Sequence, residues 1–187
     1  MARPMAKSRK RSPARSSPPY TVSRPALLSD GSDSGFRDLI HDLMAYGHRL
    51  DTCRDAFAAV VGVSGAQYEI LMLVGRTDGL SIGEVAVRLH RSGAFITIEA
   101  NKLVERGILE KASDPADGRR VLLRRTAKSA ELLRRMAPYQ QRVNDVLFEC
   151  LDAKRFKQLR TLARELVGSG DRAVSMLEFL MHEAKAA

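Results

Sequence analysis

Apolar residues recur at helical spacing along most of the chain. In the first such stretch, residues 36–61, large apolar side chains stand three or four positions apart, and Gly62 ends the pattern. Ser64 and Gln67 then have the spacing of a capping box, in which each side chain satisfies a free backbone N–H at the start of a helix. The pattern predicts a mainly helical fold that opens with one long amphipathic helix.

Two short helices and a hairpin are predicted in the middle of the chain. Ser81 and Glu84 have capping-box spacing at the start of the first helix, and Gly107 is a typical C-terminal stop for the second. Residues 108–111 and 120–125 flank a loop rich in turn residues, which predicts a two-stranded hairpin. Helix, turn, helix and basic hairpin in this order indicate a winged helix-turn-helix, a module that reads DNA.

The second short helix has two different faces. Ile96, Ala100 and Leu103 predict its buried face, and the opposite face carries side chains of small or modest size. A helix in the major groove needs such a face, because bulky side chains hold it away from the base edges. This reading face (Ala94, Thr97, Ile98 and Asn101) has two hydrogen-bonding residues and two that suit a thymine methyl group. The full set of expected DNA contacts is Ser81, Arg91, Ser92, Gly93, Ala94, Thr97, Ile98, Asn101, Arg119 and Arg120.

The hairpin also carries a specific resemblance. The segment DPADGRRVLLRRT resembles the wing of the multiple-antibiotic-resistance regulator (MarR) family, and Asp117 and Arg119 match its Asp-x-Arg loop. SGAQYEILMLV and LVERGIL resemble the family's helix before the helix-turn-helix and the end of its recognition helix, and the similarity spans residues 36–167. Arg125 and Ser129 depart from the family pattern, which usually has Leu and often Gly there. The resemblance implies a dimeric repressor or activator that answers to small phenolic or aromatic ligands.

Asp117 is expected to shape the wing rather than to contact DNA. A carboxylate repels phosphate, so it is expected to pair with Arg119 or with a residue of a helix. The alternative is that Asp117 is only a turn residue before Gly118.

Further helices are predicted after the wing. Thr126 can cap one to about residue 150, and Pro138 inside it predicts a kink. The next helix is expected to break at residues 168–170, and Asp171 would begin the last one. Together with the first helix they have more apolar surface than a small DNA reader can cover, which predicts a homodimer on a palindromic operator. The predicted organisation is an arm (1–34), an N-terminal dimerisation helix (35–62), a winged helix-turn-helix (63–126) and C-terminal dimerisation helices (127–187).

The positive charge is concentrated at the N-terminus. The net charge is +9, and residues 1–29 hold seven Lys and Arg and no acidic residue. This composition predicts a disordered arm that adds contacts to DNA phosphates, the alternative being a solvated extension or a misassigned start codon. No apolar run is long enough for a membrane helix and no signal peptide is recognised, so a cytoplasmic, nucleoid-associated protein is expected.

A ligand site is expected along the first helix, which lines a cleft near the dimer interface in the family. His41 and His48 lie on one helix face, where a cationic cluster would suit a carboxylate or phenolate; the alternative is a solvated polar face. Their separation of about two turns, ~10 Å, is too long for one metal ion, so no metal and no cofactor is expected. The expected ligand set is His41, Tyr46, His48, Arg49, Tyr68 and Met72.

The sequence leaves two alternative functions open and argues against a third. Cys53 and Cys150 would allow redox control, although Cys53 does not match the position of the reactive cysteine in peroxide-sensing relatives. A DNA-binding architectural protein without a ligand is the second alternative. An enzyme is not expected, because the sequence has no phosphate-binding Gly-rich loop, no nucleophile elbow and no HExxH or paired CxxC motif.

Overall fold

The computed structural model describes residues 19–186, and the chain divides into two compact units with the boundary between Thr52 and Cys53. The long helix α1 (Ser34–Val60) contains this boundary. In the first unit a short 3₁₀ turn, Pro25–Leu27, comes before α1. The first predicted helix is confirmed, with its start two residues earlier than the apolar pattern indicated.

Residues 19–33 have local structure where the sequence predicted disorder up to residue 34. The Asp33 carboxylate is buried and accepts hydrogen bonds from the Thr21 amide (2.7 Å), the Thr21 hydroxyl (2.8 Å) and Arg37 Nε (3.0 Å). These bonds, with the Thr21 amide first and Arg37 next, lower the pKa of Asp33 to about 2. The composition of the segment did not reveal this cluster, because it depends on one carboxylate. The rest of the predicted arm, residues 1–18, lies outside the described residues.

The second unit combines helices with a small antiparallel sheet. The sheet has the order β1 (Leu80–Ser81), β3 (Val121–Arg125), β2 (Leu109–Ser113), and Leu123 of the central strand lies opposite Leu80 and Lys111. The sequence predicted only the hairpin, since a strand of two residues is too short to show an alternating pattern. The predicted class, a mainly helical winged helix-turn-helix, is confirmed. The elements are α2 (Gly65–Arg76), β1 (Leu80–Ser81), α3 (Ile82–Leu89), α4 (Gly93–Glu105), β2 (Leu109–Ser113), β3 (Val121–Arg125), α5 (Ala127–Leu147) and α6 (Ala153–Ala186).

One apolar core joins α2, α3 and α4 to the sheet. It takes residues from α2, α3, α4 and all three strands, so the helix-turn-helix and the wing share a single interior. A second, smaller cluster contains Phe57, Ala58, Tyr68 and Met136. The main core consists of Ile70, Leu71, Leu73, Val74, Leu80, Val85, Ala86, Ile96, Ala100, Leu103, Ile108, Leu109 and Leu123.

The predicted helix caps are confirmed. Capping boxes form at Ser64 with Gln67 and at Ser81 with Glu84. Thr126 caps α5, and Ser129 completes a third box by accepting a hydrogen bond from the Thr126 amide at 2.9 Å. Such caps satisfy amides that have no partner within the helix, which fixes where each helix begins.

The prediction of two separate C-terminal helices is wrong. Helix α6 is continuous through Gly168, Ser169 and Gly170, and neither glycine has a positive φ. Each glycine costs a helix about 1 kcal/mol relative to alanine, but it does not forbid helical backbone as proline does. Helix α5 likewise continues past Pro138, and it ends at Leu147, three residues before the predicted end.

Within residues 19–186 no single helix is long and apolar enough to cross a membrane. The bent pair formed by α1 and α2 meets the length and composition requirement only when the two helices are taken together.

Candidate DNA-binding surface and adjoining cavity

The turn between α3 and α4 sets the position of α4. His90 ends α3 in the left-handed conformation (φ 50°), and the Arg91 amide donates to the Ala86 carbonyl at 3.0 Å. Ser92 then caps α4 by accepting a hydrogen bond from the Phe95 amide at 3.2 Å. A left-handed residue followed by a cap turns the chain within three residues, so α4 begins at a fixed angle to α3.

Helix α4 has the two faces that the sequence predicted. Ile96, Ala100 and Leu103 are completely buried in the main core. On the reading face, Ala94, Thr97 and Ile98 are exposed and Asn101 is half-buried. The helix is therefore held by one face and presents the other to the surroundings.

The polar residues of the reading face have partners within the chain. The Thr97 hydroxyl donates to the Gly93 carbonyl at 2.8 Å, and Asn101 Oδ1 accepts from Lys111 Nζ at 2.7 Å. Sequence reasoning did not include Lys111, which reaches Asn101 from strand β2. Nor did it include Phe95, whose ring centroid lies 5.8 Å from the guanidinium carbon of Arg91. That distance is within the range of a cation–π contact.

The loop of the wing (the β2–β3 hairpin) is closed by Asp117. Its carboxylate accepts a hydrogen bond from the Arg119 amide at 3.1 Å, and its carbonyl accepts from the Arg120 amide at 2.9 Å. The expected pairing of Asp117 with Arg119 thus involves the main chain of Arg119 and not its guanidinium. This contact shapes the loop and leaves the Arg119 side chain exposed.

The two wing arginines differ in their surroundings. Arg120 Nη2 lies 3.3 Å from Glu84 Oε2, and Arg120 Nη1 lies 3.6 Å from Asp114 Oδ2. Among the described residues, no hydrogen bond or ion pair holds the Arg119 guanidinium. Arg120 therefore ties the wing to the start of α3, whereas Arg119 projects a positive charge that no residue in the described part of the chain pairs with.

Glu84 connects the wing with the cap of α3. Its carboxylate accepts hydrogen bonds from the Ser81 hydroxyl at 2.6 Å and from the Ser81 amide at 2.9 Å. These bonds, the hydroxyl first, lower the pKa of Glu84. Glu84 is thus ionised at neutral pH, and the Ser81 hydroxyl is already engaged inside the chain.

A buried amide links α4 to α2. Gln67 Nε2 donates to Glu99 Oε2 at 2.9 Å, and Glu99 Oε1 in turn accepts from Lys102 Nζ at 2.6 Å. The Lys102 hydrogen bond is the largest of the causes that lower the pKa of Glu99, while desolvation opposes them. The same Gln67 side chain completes the cap of α2, so one residue anchors both helices.

A cavity of about 550 Å³ opens beside α2 and is walled by α2, α3 and α5. Tyr68 and Met72 line it, and Gln140 Nε2 donates to the Tyr68 hydroxyl at 2.5 Å. Burial raises the pKa of Tyr68, so its phenol is neutral at physiological pH. The other lining residues are Glu69, Leu73, Gly75, Arg76, Leu89 and Leu133.

The expected ligand residues fall into two groups. Tyr68 and Met72 share the cavity of the second unit. His41, Tyr46, His48 and Arg49 belong to the first unit, where the two histidines and Arg49 are exposed and Tyr46 is half-buried. Between residues 19 and 186 no cluster of three or more His, Cys, Asp or Glu is arranged to hold a metal ion. Of the two cysteines, Cys53 is half-buried and Cys150 is exposed.

Comparison with known proteins identifies the helix-turn-helix and its wing. A sequence model of the MarR family matches residues 61–120, which cover α2, β1, α3, α4, β2 and the wing loop up to the start of β3. Residues 61–120 of this chain are thus similar to the MarR family. Members of this family are DNA-binding transcriptional regulators and not enzymes, which confirms both the resemblance and the expectation that the chain is a regulator.

Several solved proteins have the same fold. CouR from Rhodococcus jostii RHA1, bound to p-coumaroyl-CoA, is 20% identical with a TM-score of 0.66, over 72% of this chain and 95% of CouR. PcaV from Streptomyces coelicolor, in complex with its natural ligand, is 27% identical with a TM-score of 0.53, over 66% of this chain and 90% of PcaV. BpsR from Bordetella bronchiseptica, whose DNA binding is regulated by 6-hydroxynicotinic acid, is 21% identical with a TM-score of 0.57, over 68% of this chain and 91% of BpsR. A search of curated protein sequences found no match.

The two departures from the MarR pattern lie at the base of the wing. The backbone amide of Arg125 donates to Asp78 Oδ1 at 2.9 Å, which joins the end of β3 to the loop before β1 and does not depend on the Arg125 side chain. Ser129 is completely buried, and its hydroxyl both completes the α5 cap and donates to the Thr126 carbonyl at 2.8 Å. Both contacts strengthen the base of the wing.

Proposed function

We propose that this MarR-family regulator is a homodimeric repressor that binds a palindromic operator and is released by a small aromatic or phenolic carboxylate. The observation that carries the DNA part of the proposal is the exposed reading face of α4 beside a wing whose Arg119 side chain is exposed and has no partner within residues 19–186. The reading face enters the major groove, Arg119 contacts the adjacent minor groove or its phosphates, and Arg91 and Ser92 contact phosphates. Ser81 and Arg120 contribute by holding the wing, and the protein acts at the nucleoid in the cytoplasm.

The homodimer is supported by apolar surface at both ends of the chain. Leu39, Ile40, Leu43 and Met44 on α1 are all at least 40% exposed. On α6 every residue from 153 to 185 except Gly168 is exposed, including Phe156, Leu159, Leu162, Leu166, Leu177, Phe179 and Leu180. Exposed apolar patches of this extent mark protein interfaces. A second copy of the chain covers them and places two reading helices one DNA turn apart, roughly 34 Å.

The effector proposal rests on the cavity beside α2. The cavity contains the neutral phenol of Tyr68, which is hydrogen-bonded by the Gln140 side-chain amide. Its walls are mainly apolar, and Arg76 can pair with a ligand carboxylate. The ligands named for CouR and BpsR are an aromatic thioester and an aromatic acid, which supports the same ligand class here. Such a ligand acts by binding one of two dimer shapes more tightly, because equal affinity for both would shift nothing.

The test is binding of the full-length protein to the DNA that flanks its own gene, with and without a panel of aromatic acids and their thioesters. Fluorescence anisotropy should show sequence-specific binding that one compound releases. Light scattering should give twice the chain mass of 20.7 kDa, which is 41.4 kDa. Equal affinity for random DNA would contradict an operator, a 20.7 kDa species at micromolar concentration would contradict the dimer, and binding that no compound disturbs would contradict the effector class.

A further inference from the structure

The reading face of α4 is apolar at its centre. Ala94, Ile98 and Asn101 follow one another at intervals of four and three residues, so they form a line along the helix. Ile98 in the middle of this line is 56% exposed, although α4 already buries a complete apolar face on the other side. An exposed isoleucine on the side of the helix opposite the core does not contribute to the stability of the fold.

The hydrogen-bonding groups around Ile98 are largely engaged. Thr97 donates to Gly93, Asn101 accepts from Lys111, and Lys102 pairs with Glu99 at 2.6 Å. Within α4, which the structure describes completely, Lys102 is the only cationic side chain. The helix therefore presents methyl groups where a guanidinium is the commonest reader of guanine.

Positive charges flank this apolar centre instead of occupying it. The Arg91 guanidinium lies over the Phe95 ring at the N-terminal end of α4, and Lys111 Nζ of the wing lies 2.7 Å from Asn101 Oδ1 at the other end of the line. An apolar centre between cations fits DNA, because phosphates line both sides of a groove whose floor is formed by base edges. Among the four bases only thymine places a methyl group on the floor of the major groove.

We propose that α4 recognises its operator through the 5-methyl group of thymine, with Ile98 as the specificity-determining residue. Ala94 is small enough to let the helix approach, and Phe95 holds Arg91 in position for a phosphate. Cytosine is rejected at the same position because it lacks the methyl group and would leave its amino donor against the Ile98 side chain. This inference rests on the proposed DNA-binding function and adds which base is read, by which residue.

The test uses uracil, which pairs with adenine as thymine does and lacks only the 5-methyl group. An operator is first selected from a random duplex pool with the full-length protein. Each thymine in the selected half-site is then replaced by 2′-deoxyuridine, one position at a time, and the affinity is measured for the wild-type protein and for I98A. A V87A variant is the matched control, because Val87 is an apolar β-branched residue, 74% exposed, on α3 and not on the reading helix.

At one position of each half-site, uracil should weaken wild-type binding about fourfold, as expected for one buried methyl group. The I98A variant should bind the thymine operator more weakly and show little further loss with uracil, whereas V87A should behave as the wild type does. An operator that binds equally well with uracil at every position overturns the inference, as does an undiminished uracil effect in I98A. A selection that enriches no sequence would instead contradict the proposed operator binding itself, so the two failures are distinguishable.

Discussion

Replacing Glu99 by alanine would show how firmly α4 is anchored to α2. Glu99 accepts the hydrogen bond of Gln67, whose residue exposure is 7%, and its own side chain is 12% exposed. Without the carboxylate, the Gln67 amide becomes a buried donor with no partner, which costs about 1–3 kcal/mol. The higher helix propensity of alanine offsets a few tenths of a kcal/mol of this loss in stability. We therefore expect E99A to lower the free energy of unfolding by about 1–2 kcal/mol at pH 7.

The pH dependence of this deficit gives a second criterion. The pKa of Glu99 is lowered in the folded chain, chiefly by the Lys102 hydrogen bond. A carboxyl group with a lowered pKa contributes stability that is fully present above its ordinary value of 4.5 and is lost as the pH falls below it. The difference in stability between the wild type and E99A should therefore be constant near neutrality and shrink below pH 4.5.

Urea unfolding followed by circular dichroism at pH 7 and pH 4 measures both quantities. The control is E105A, because Glu105 lies on the exposed face near the end of the same helix. An exposed substitution of this kind should change the stability by less than about 0.5 kcal/mol. The reasoning would be refuted if E99A were as stable as the wild type at pH 7, or if its deficit grew as the pH fell.

Three further predictions concern DNA and ligand binding. R119A should weaken operator binding by at least about 1 kcal/mol, or fivefold. The control R134A, which removes an exposed arginine of α5 paired with Glu131, should not change it. Equal effects of the two substitutions would show that Arg119 does not contact the DNA. Y68F should retain operator affinity in anisotropy measurements but need more ligand for release, and an unchanged ligand response would exclude the Tyr68 hydroxyl from the effector site. Deleting residues 1–18, which contain six Lys and Arg, should reduce the slope of log affinity against log salt, and an identical slope would show that the arm makes no phosphate contact.

The local features of the fold were predictable because neighbouring residues determine them. The caps at Ser64, Ser81 and Thr126 follow from side chains that bond to amides three positions away. The two faces of α4 follow from helical periodicity, which assigned Ile96 to the core and Ile98 to the surface. In both cases the determining contacts lie within a few residues, so the sequence contains the information directly.

The contacts that hold the site together were not predictable in the same way. Arg120 meets Glu84 across 36 positions, and Gln67 meets Glu99 across 32. Both pairs consist of polar residues that periodicity assigns to solvent, and only the packing of α2, α3, α4 and the wing brings them together. The predicted break in the C-terminal helix is wrong for a different reason, because the glycines at 168 and 170 lower helix propensity without ending the helix.

The separation of the buried face of α4 from its reading face affects how the operator preference of this regulator can evolve. Its buried face and its caps determine where the helix lies, while Ala94 and Ile98 contribute little to the core. Exposed substitutions outside such structural positions usually alter stability by no more than about 0.5 kcal/mol. New operator preferences are therefore accessible by single substitutions that leave folding intact, so related regulators can diverge in their target genes without compensating changes elsewhere. The same property makes these two positions suitable for a library of redesigned DNA readers.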